Sequence, residues 1–220
     1  MATSDLAKLN KIHYLVDKYG TGKKGARKIS NKLEGTGYEL DRLKRGVASF
    51  KSIDNGHTVV TVKGTDIKNK RDLISDIKLG LGFSKHDRQF QNRKKIIKEI
   101  YKDSDGDKYL TGHSLGGSIV SSAMAKSKSI RDNTKKAETF NPGYTAAFHN
   151  ELSKNLNKPI KKELNDKLIH HHIKKDIVST SLTNQHIGKL KKYSVDSSNP
   201  LVKHGLDSVI ENLDEPKEEL

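Results

Sequence analysis

Cysteine is absent from this 220-residue chain, which excludes disulfide staples and thiolate-bound metals. Long apolar runs are absent as well. No stretch approaches the ~18 consecutive apolar residues that cross a bilayer. The N-terminus, Met1-Ala2-Thr3-Ser4-Asp5, opens a charged amphipathic pattern rather than the apolar core of a secretory signal. The expectation is a soluble, intracellular protein. Aromatic residues make up only 5% of the chain, and few of them interleave with basic residues, so no stacking platform for nucleic-acid bases is visible. No internal repeat is present. The length suits one substantial core and is too short for two comfortable domains.

Positive charge is in excess. The 42 Lys and Arg outnumber the 27 Asp and Glu, giving a formal net charge of +15. The last fourteen residues hold Asp207, Glu211, Asp214, Glu215, Glu218 and Glu219 against Lys217, a net of −5, so the body before them carries +20. Such a body is drawn to anionic lipid headgroups, at ~1 kcal/mol per near-surface Lys or Arg, or to nucleic acid. The lysines are scattered along the whole chain. That scatter describes a solvated surface with attraction to an anionic membrane as a by-product, and nucleic acid is the less favoured partner.

Leu6, Leu9, Ile12, Val16 and Tyr19 recur at helical spacing behind a cap at Ser4 or Asp5 and stop at Gly20. Thr21-Gly22-Lys23-Lys24-Gly25 reads as a flexible loop without the strand or spacing of a phosphate-binding loop. A short helix is expected at 29–33. At Val47 the period becomes two. Val47-Ala48-Ser49-Phe50 and Thr58-Val59-Val60-Thr61-Val62 form a hairpin around Asp54-Asn55-Gly56. A helix over 87–101 presents Phe90, Ile96, Ile97, Ile100 and Tyr101 on one face. It leads through a turn at 103–107, which lacks the distal glutamate of a calcium loop, into the strand Tyr109-Leu110-Thr111. The strand Ala137-Glu138-Thr139-Phe140 comes next, then a helix with Ala147, Phe148, Leu152 and Leu156. A Lys/Asn-rich connection leads to the strand Leu168-Ile169-His170-His171-His172-Ile173. This alternation specifies an α/β fold with a mostly parallel central sheet flanked by helices, its chemistry at the strands' carboxyl ends. The expected organisation is an N-terminal helical segment over 1–45 packed on the core, one α/β domain over 46–210, and an acidic tail over 211–220.

The centre of the chain is Gly112-His113-Ser114-Leu115-Gly116-Gly117, with a strand before it and a run of small, helix-compatible residues after it. This is the strand–turn–helix pattern of a nucleophile elbow, in which the serine takes a strained positive φ and glycines let strand and helix approach. The serine then stands at a helix N-terminus, where the dipole and free N–H groups favour developing negative charge. The preceding hairpin strand ends at Lys63-Gly64-Thr65. The N–H of Thr65, with that of Leu115, would form an oxyanion hole, although a plain strand-terminating turn fits those residues too. After it, Leu73, Ile74, Ile77 and Leu81 make an apolar stripe opposite Lys68, Lys70, Arg71 and Lys78. A helix of this kind over 67–82 serves as a lid, a membrane-touching surface or a core element. A serine of this sheet type is followed by its acid and then its base. Asp176 comes directly after a strand, and His186 and His204 both lie far enough beyond it. His204 is expected in a loop before a helix at 206–213. His170 and His172 point away from His171 on their strand, so two same-face ligands lack a third and no metal is expected.

On these residues the chain resembles the class 3 lipases of the α/β-hydrolase group, and most closely the short lipase-like proteins of large DNA viruses. The resemblance runs from about Val47 to Ile210. It rests on Val60-Thr61-Val62-Lys63-Gly64-Thr65, Asp72-Leu73-Ile74-Ser75-Asp76, the elbow, Thr139-Phe140-Asn141-Pro142-Gly143, Asp176-Ile177-Val178-Ser179 and His204-Gly205-Leu206-Asp207. Lys63 replaces the family's arginine, Leu73 its tryptophan, and Ile177 the proline after the acid. The resemblance favours His204 over His186 and implies cleavage of esters, lipid esters among them, by Ser114, His204 and Asp176 without a cofactor. The competing expectation is a non-catalytic hydrolase-like scaffold bound to an anionic surface or a viral particle.

Overall fold

The computed structural model describes residues 1–19, 23–64, 83–143, 146–154, 156–176 and 186–214. Seven strands lie side by side in chain order: β1 (Tyr38–Lys44), β2 (Val47–Ser52), β3 (Thr58–Val62), β4 (Lys108–His113), β5 (Lys136–Phe140), β6 (Leu168–Ile173) and β7 (Lys189–Tyr193). The β1–β2 and β2–β3 pairs are antiparallel. Every pair from β3 to β7 is parallel. The described helices are α1 (Thr3–Tyr19), α2 (Lys23–Leu33), α3 (Phe83–Lys102), α4 (Leu115–Lys126), α5 (Lys128–Asn133), α6 (Ala146–Ser153), α7 (Lys158–Lys167), α8 (Pro200–His204) and α9 (Leu206–Asp214). This is the α/β-hydrolase architecture.

Alternation along the strands divides the core in two. Val60 and Val62 of β3, Leu110 of β4 and Ala137 of β5 pack with Ile97 and Ile100 of α3 and Ile119, Val120 and Met124 of α4. Val59, Tyr109, Phe140 and Ile173 point the other way and pack with Leu6, Leu9 and Val16 of α1 and Leu206 and Val209 of α9. A fully buried Leu, Ile or Phe contributes ~1.5–3 kcal/mol, so both faces of the sheet are firmly covered. α1 also crosses the sheet with polar contacts. Asn10 Nδ2 donates to Thr111 Oγ1 at 2.7 Å, and His13 Nδ1 lies 2.8 Å from Thr61 Oγ1.

Several elements differ from the sequence reading. β1 lies within the 1–45 stretch read as helical; it is an edge strand, its charged side chains hide the alternation, and its register shifts between Leu40 and Arg42. β7, the opposite edge, exposes Lys189, Lys191 and Lys192, and charge on an edge strand discourages pairing with another chain. α2 begins at Lys23, so Lys23 to Gly25 are helical rather than loop. α1 begins at Thr3, which puts Ser4 and Asp5 inside its first turn. α7 occupies the Lys/Asn-rich connection. Asn157 caps it through Ile160 N at 3.1 Å, and Leu164 is its fully buried anchor. Residues 211–214, read as tail, complete α9.

Two histidines of the sheet are buried in neutral form. Burial pushes the imidazoles of His113 and His170 down from 6.5 to about 3. Each binds fewer protons folded than unfolded below pH ~6.5, so stability falls as pH drops from there toward 3. Glu138 adds to the trend. Burial would raise its carboxyl, but hydrogen bonds from His171 and Lys136 hold it down to about 2, and that contribution is lost on further acidification below ~4.5. Between urea unfolding at about pH 7.5 and at about pH 5.5 the loss should be on the order of 1 kcal/mol per imidazole. An unchanged midpoint would contradict neutral burial.

Candidate active site

At the carboxyl end of β4 the chain reverses into α4 through a single residue. Ser114 has φ 56° and ψ −128° and is the N-cap of that helix. Positive φ is costly for a residue with a Cβ, and backbone bonds on both sides hold it there. Its N–H donates to Phe140 O at 3.1 Å, and its carbonyl accepts from Gly143 N at 3.0 Å. The flanking glycines are required by space. A Cβ on Gly116 would lie 2.0 Å from Val62 O, one on Gly112 2.6 Å from Gly116 C, and one on Gly117 2.9 Å from Pro142 Cβ.

Three side chains from distant parts of the chain meet at this turn. His204 Nε2 is 2.9 Å from Ser114 Oγ, and His204 Nδ1 is 3.1 Å from both carboxylate oxygens of Asp176. All three residues are buried. A carboxylate only accepts, so Nδ1 carries the imidazole proton and Nε2 is left to accept from the serine hydroxyl. Asp176 stands just past β6, turned inward after Lys175 at φ 64° with its N–H on Ile173 O at 3.1 Å. His204 is not in the expected loop; it is the last residue of α8, which starts at the Asn199 cap with Pro200 in the first turn.

The carbonyl of His204 is itself held. His113 Nε2 donates to it at 2.7 Å and Asn141 Nδ2 at 3.2 Å, while Asn141 Oδ1 accepts from Ile173 N at 2.9 Å. Asn141 thereby ties β6 to the histidine segment from a positive-φ position, φ 40°. The reading of Asn141-Pro142-Gly143 as a strand end did not include this role. The clue lay in an asparagine before a proline after a strand, where a short amide side chain tolerates positive φ.

Leu115 is the first residue of α4, so its N–H is among the helix's orphan donors and opens beside Ser114. Thr65, the expected second oxyanion donor, lies outside the described residues, as do the 67–82 segment and its Lys68, Lys70, Arg71 and Lys78. The strand end before Thr65 is fixed. Arg93 Nη1 donates to Lys63 O at 2.6 Å, and a Cβ on Gly64 would lie 2.7 Å from His113 O and 3.0 Å from Ser114 Cβ.

His186, His170 and His171 are occupied elsewhere. His186 Nδ1 donates to Gly188 O at 2.8 Å, and its ring lies edge-on to His170. His170 bonds Thr139 Oγ1 and Ile187 O, and His171 bonds Tyr193 Oη and Glu138 Oε2 from the opposite face. Among the described residues no three His, Asp or Glu side chains gather as metal ligands.

A family model of the Tle-like phospholipase domain matches residues 24–199. No curated protein matches the chain. Among solved structures, Est1E from Butyrivibrio proteoclasticus is similar at 15% identity and a TM-score of 0.44, covering 80% of this chain and 96% of that one. Esterase B from Lactobacillus rhamnosis is similar at 12% identity and a TM-score of 0.46, covering 96% and 91%. An esterase/lipase from an uncultured bacterium is similar at 12% identity and a TM-score of 0.43, covering 95% and 96%.

The crowding at the turn gives a direct test. Gly116→Ala places a methyl against the Val62 carbonyl, a rigid backbone neighbour, and should destabilise the fold by roughly 1–3 kcal/mol or more. Gly35→Ala is the control: it carries only the positive-φ cost, because nothing lies within 4 Å of its Cβ position. Urea midpoints of the two variants compare them. A Gly116→Ala midpoint no lower than that of Gly35→Ala would contradict the described contact.

Proposed function

The chain belongs to the Tle-like phospholipase domain family, and from that membership and the geometry at Ser114 we propose that it is a serine hydrolase of carboxylic esters acting on lipid acyl groups. One observation carries the reading: a buried serine at positive φ on a helix N-terminus, with His204 Nε2 2.9 Å from its Oγ and Asp176 behind the imidazole.

Ser114 Oγ attacks the ester carbonyl while its proton passes to His204 Nε2. Asp176 keeps the ring in the accepting tautomer and stabilises the imidazolium. The negative charge on the former carbonyl oxygen is met by the N–H of Leu115, with Thr65 as the second donor. The carbon–oxygen bond to the alcohol breaks as His204 returns the proton to it. Water then attacks the acyl-serine by the same route, releasing the acid and restoring the hydroxyl. No cofactor or metal takes part in this scheme. His113 stacks obliquely on His204, its ring centroid 4.9 Å away. Being held neutral, it adds no second positive charge beside the imidazolium.

The preference for lipid rests on the family and on surface charge. Lys174 and Lys175, just before Asp176, are exposed, as are Lys191 and Lys192 on β7. These lysines favour an anionic membrane surface. Among the described residues no helix is long and apolar enough to cross a membrane, so the proposal is adsorption onto the surface. The kinship with class 3 lipases, and with the short lipase-like proteins of large DNA viruses, is part of the same proposal.

Ser114→Ala should reduce turnover of a short nitrophenyl ester by on the order of 10⁶ in kcat. His204→Ala should approach that loss, and His186→Ala should be close to wild type. Wild-type phospholipid vesicles should release fatty acid. An inert wild type would favour the non-catalytic scaffold, and loss at His186 equal to that at His204 would move the base.

A further inference from the structure

We propose that Tyr14 of α1 is a positioning residue for the reaction, joining the oxyanion strand to the segment that carries His204. The proposal rests on the serine-hydrolase reading above. Tyr14 Oη lies 3.0 Å from His113 Nδ1 and accepts from Gly64 N at 3.0 Å.

Chemistry fixes every proton in this chain of contacts. The His204 carbonyl only accepts, so the proton of His113 sits on Nε2, 2.7 Å away. His113 is neutral, so Nδ1 is an acceptor and takes the phenolic proton of Tyr14. The phenol oxygen then accepts the Gly64 N–H. One hydroxyl thus links the residue immediately before Thr65, through a single imidazole, to the backbone of His204.

The helix that supplies this hydroxyl is itself registered on the sheet. Asn10, His13 and Tyr14 share one face of α1 by their i, i+3, i+4 spacing, and bond Thr111, Thr61 and His113 respectively. Lys63 Nζ stands 5.2 Å from the centre of the Tyr14 ring, and Lys11 pairs with Asp207 of α9. Tyr14 and His204 both lie outside the 24–199 span that the family model matches. The two ends of the chain therefore supply parts of the site which that span leaves out.

Tyr14→Phe keeps the ring and removes only the hydroxyl. On a soluble nitrophenyl ester it should lower kcat by roughly tenfold or more, as an indirect loss at an oxyanion site, with KM within about twofold. Lys11→Ala weakens the exposed tie of the same helix to α9 and should leave kcat unchanged. Tyr14→Phe combined with His113→Gln should be no slower than the slower single variant, because the two residues act in series. A wild-type kcat in Tyr14→Phe with only a lowered unfolding midpoint would reduce Tyr14 to a structural role, and additive losses in the double variant would overturn the linkage. Wild type and Ser114→Ala are measured alongside. Turnover in the first and none in the second upholds the hydrolase reading, so failure at Tyr14 then falls on this proposal alone. An inert wild type overturns both.

Discussion

The approach of Gly116 to the carbonyl of Val62 is the constraint on which the site depends. Without a Cβ at 116 the first turn of α4 lies directly against the end of β3, where any other side chain would meet an oxygen at 2.0 Å. That closeness sets the N-terminus of α4 directly beside the end of β3. It also compresses the link between β4 and α4 to one residue. Ser114 takes a positive-φ conformation as a result, at a cost of order 1–3 kcal/mol. Bonds to Phe140 and from Gly143 hold it against relaxation.

A second layer sits behind Ser114 and His204. On the α1 side of β4, Tyr109 packs in the apolar cluster while Thr111 and His113 meet polar partners from α1. His204 is held through its carbonyl rather than by its ring alone, with His113 and Asn141 as donors. A buried hydrogen bond whose partner is removed leaves a desolvated group at a cost of ~1–3 kcal/mol. The geometry of the imidazole is therefore protected at two points remote from its nitrogens.

Much of this was legible in the sequence, for reasons that can be named. Val47-Ala48-Ser49-Phe50 and Thr58-Val59-Val60-Thr61-Val62 alternate around an Asn-Gly turn and became β2 and β3. The glycines at 112, 116 and 117 announced a close approach that only glycine tolerates. Asp176 after a strand was readable as a candidate acid, whereas spacing left His186 and His204 open; the fold brings His204 to Ser114 and turns His186 to the Gly188 carbonyl. The edge strands β1 and β7 escaped because their lysines and acids face solvent and blur the period of two. α7 escaped because one buried leucine makes no stripe. Tyr14 was not singled out in the sequence, because its contacts lie 50 and 99 residues away and no local pattern encodes those.

The central claim is that Ser114 is an activated nucleophile, and covalent labelling addresses it most directly. A fluorophosphonate reacts with a serine only when its proton has a base to go to and the developing oxyanion has donors. Incubating the full chain with such a probe and mapping the adduct by peptide mass spectrometry should give one label per chain, on Ser114, with none in the heat-denatured protein. Absence of an adduct, or an adduct on another serine, would contradict the account.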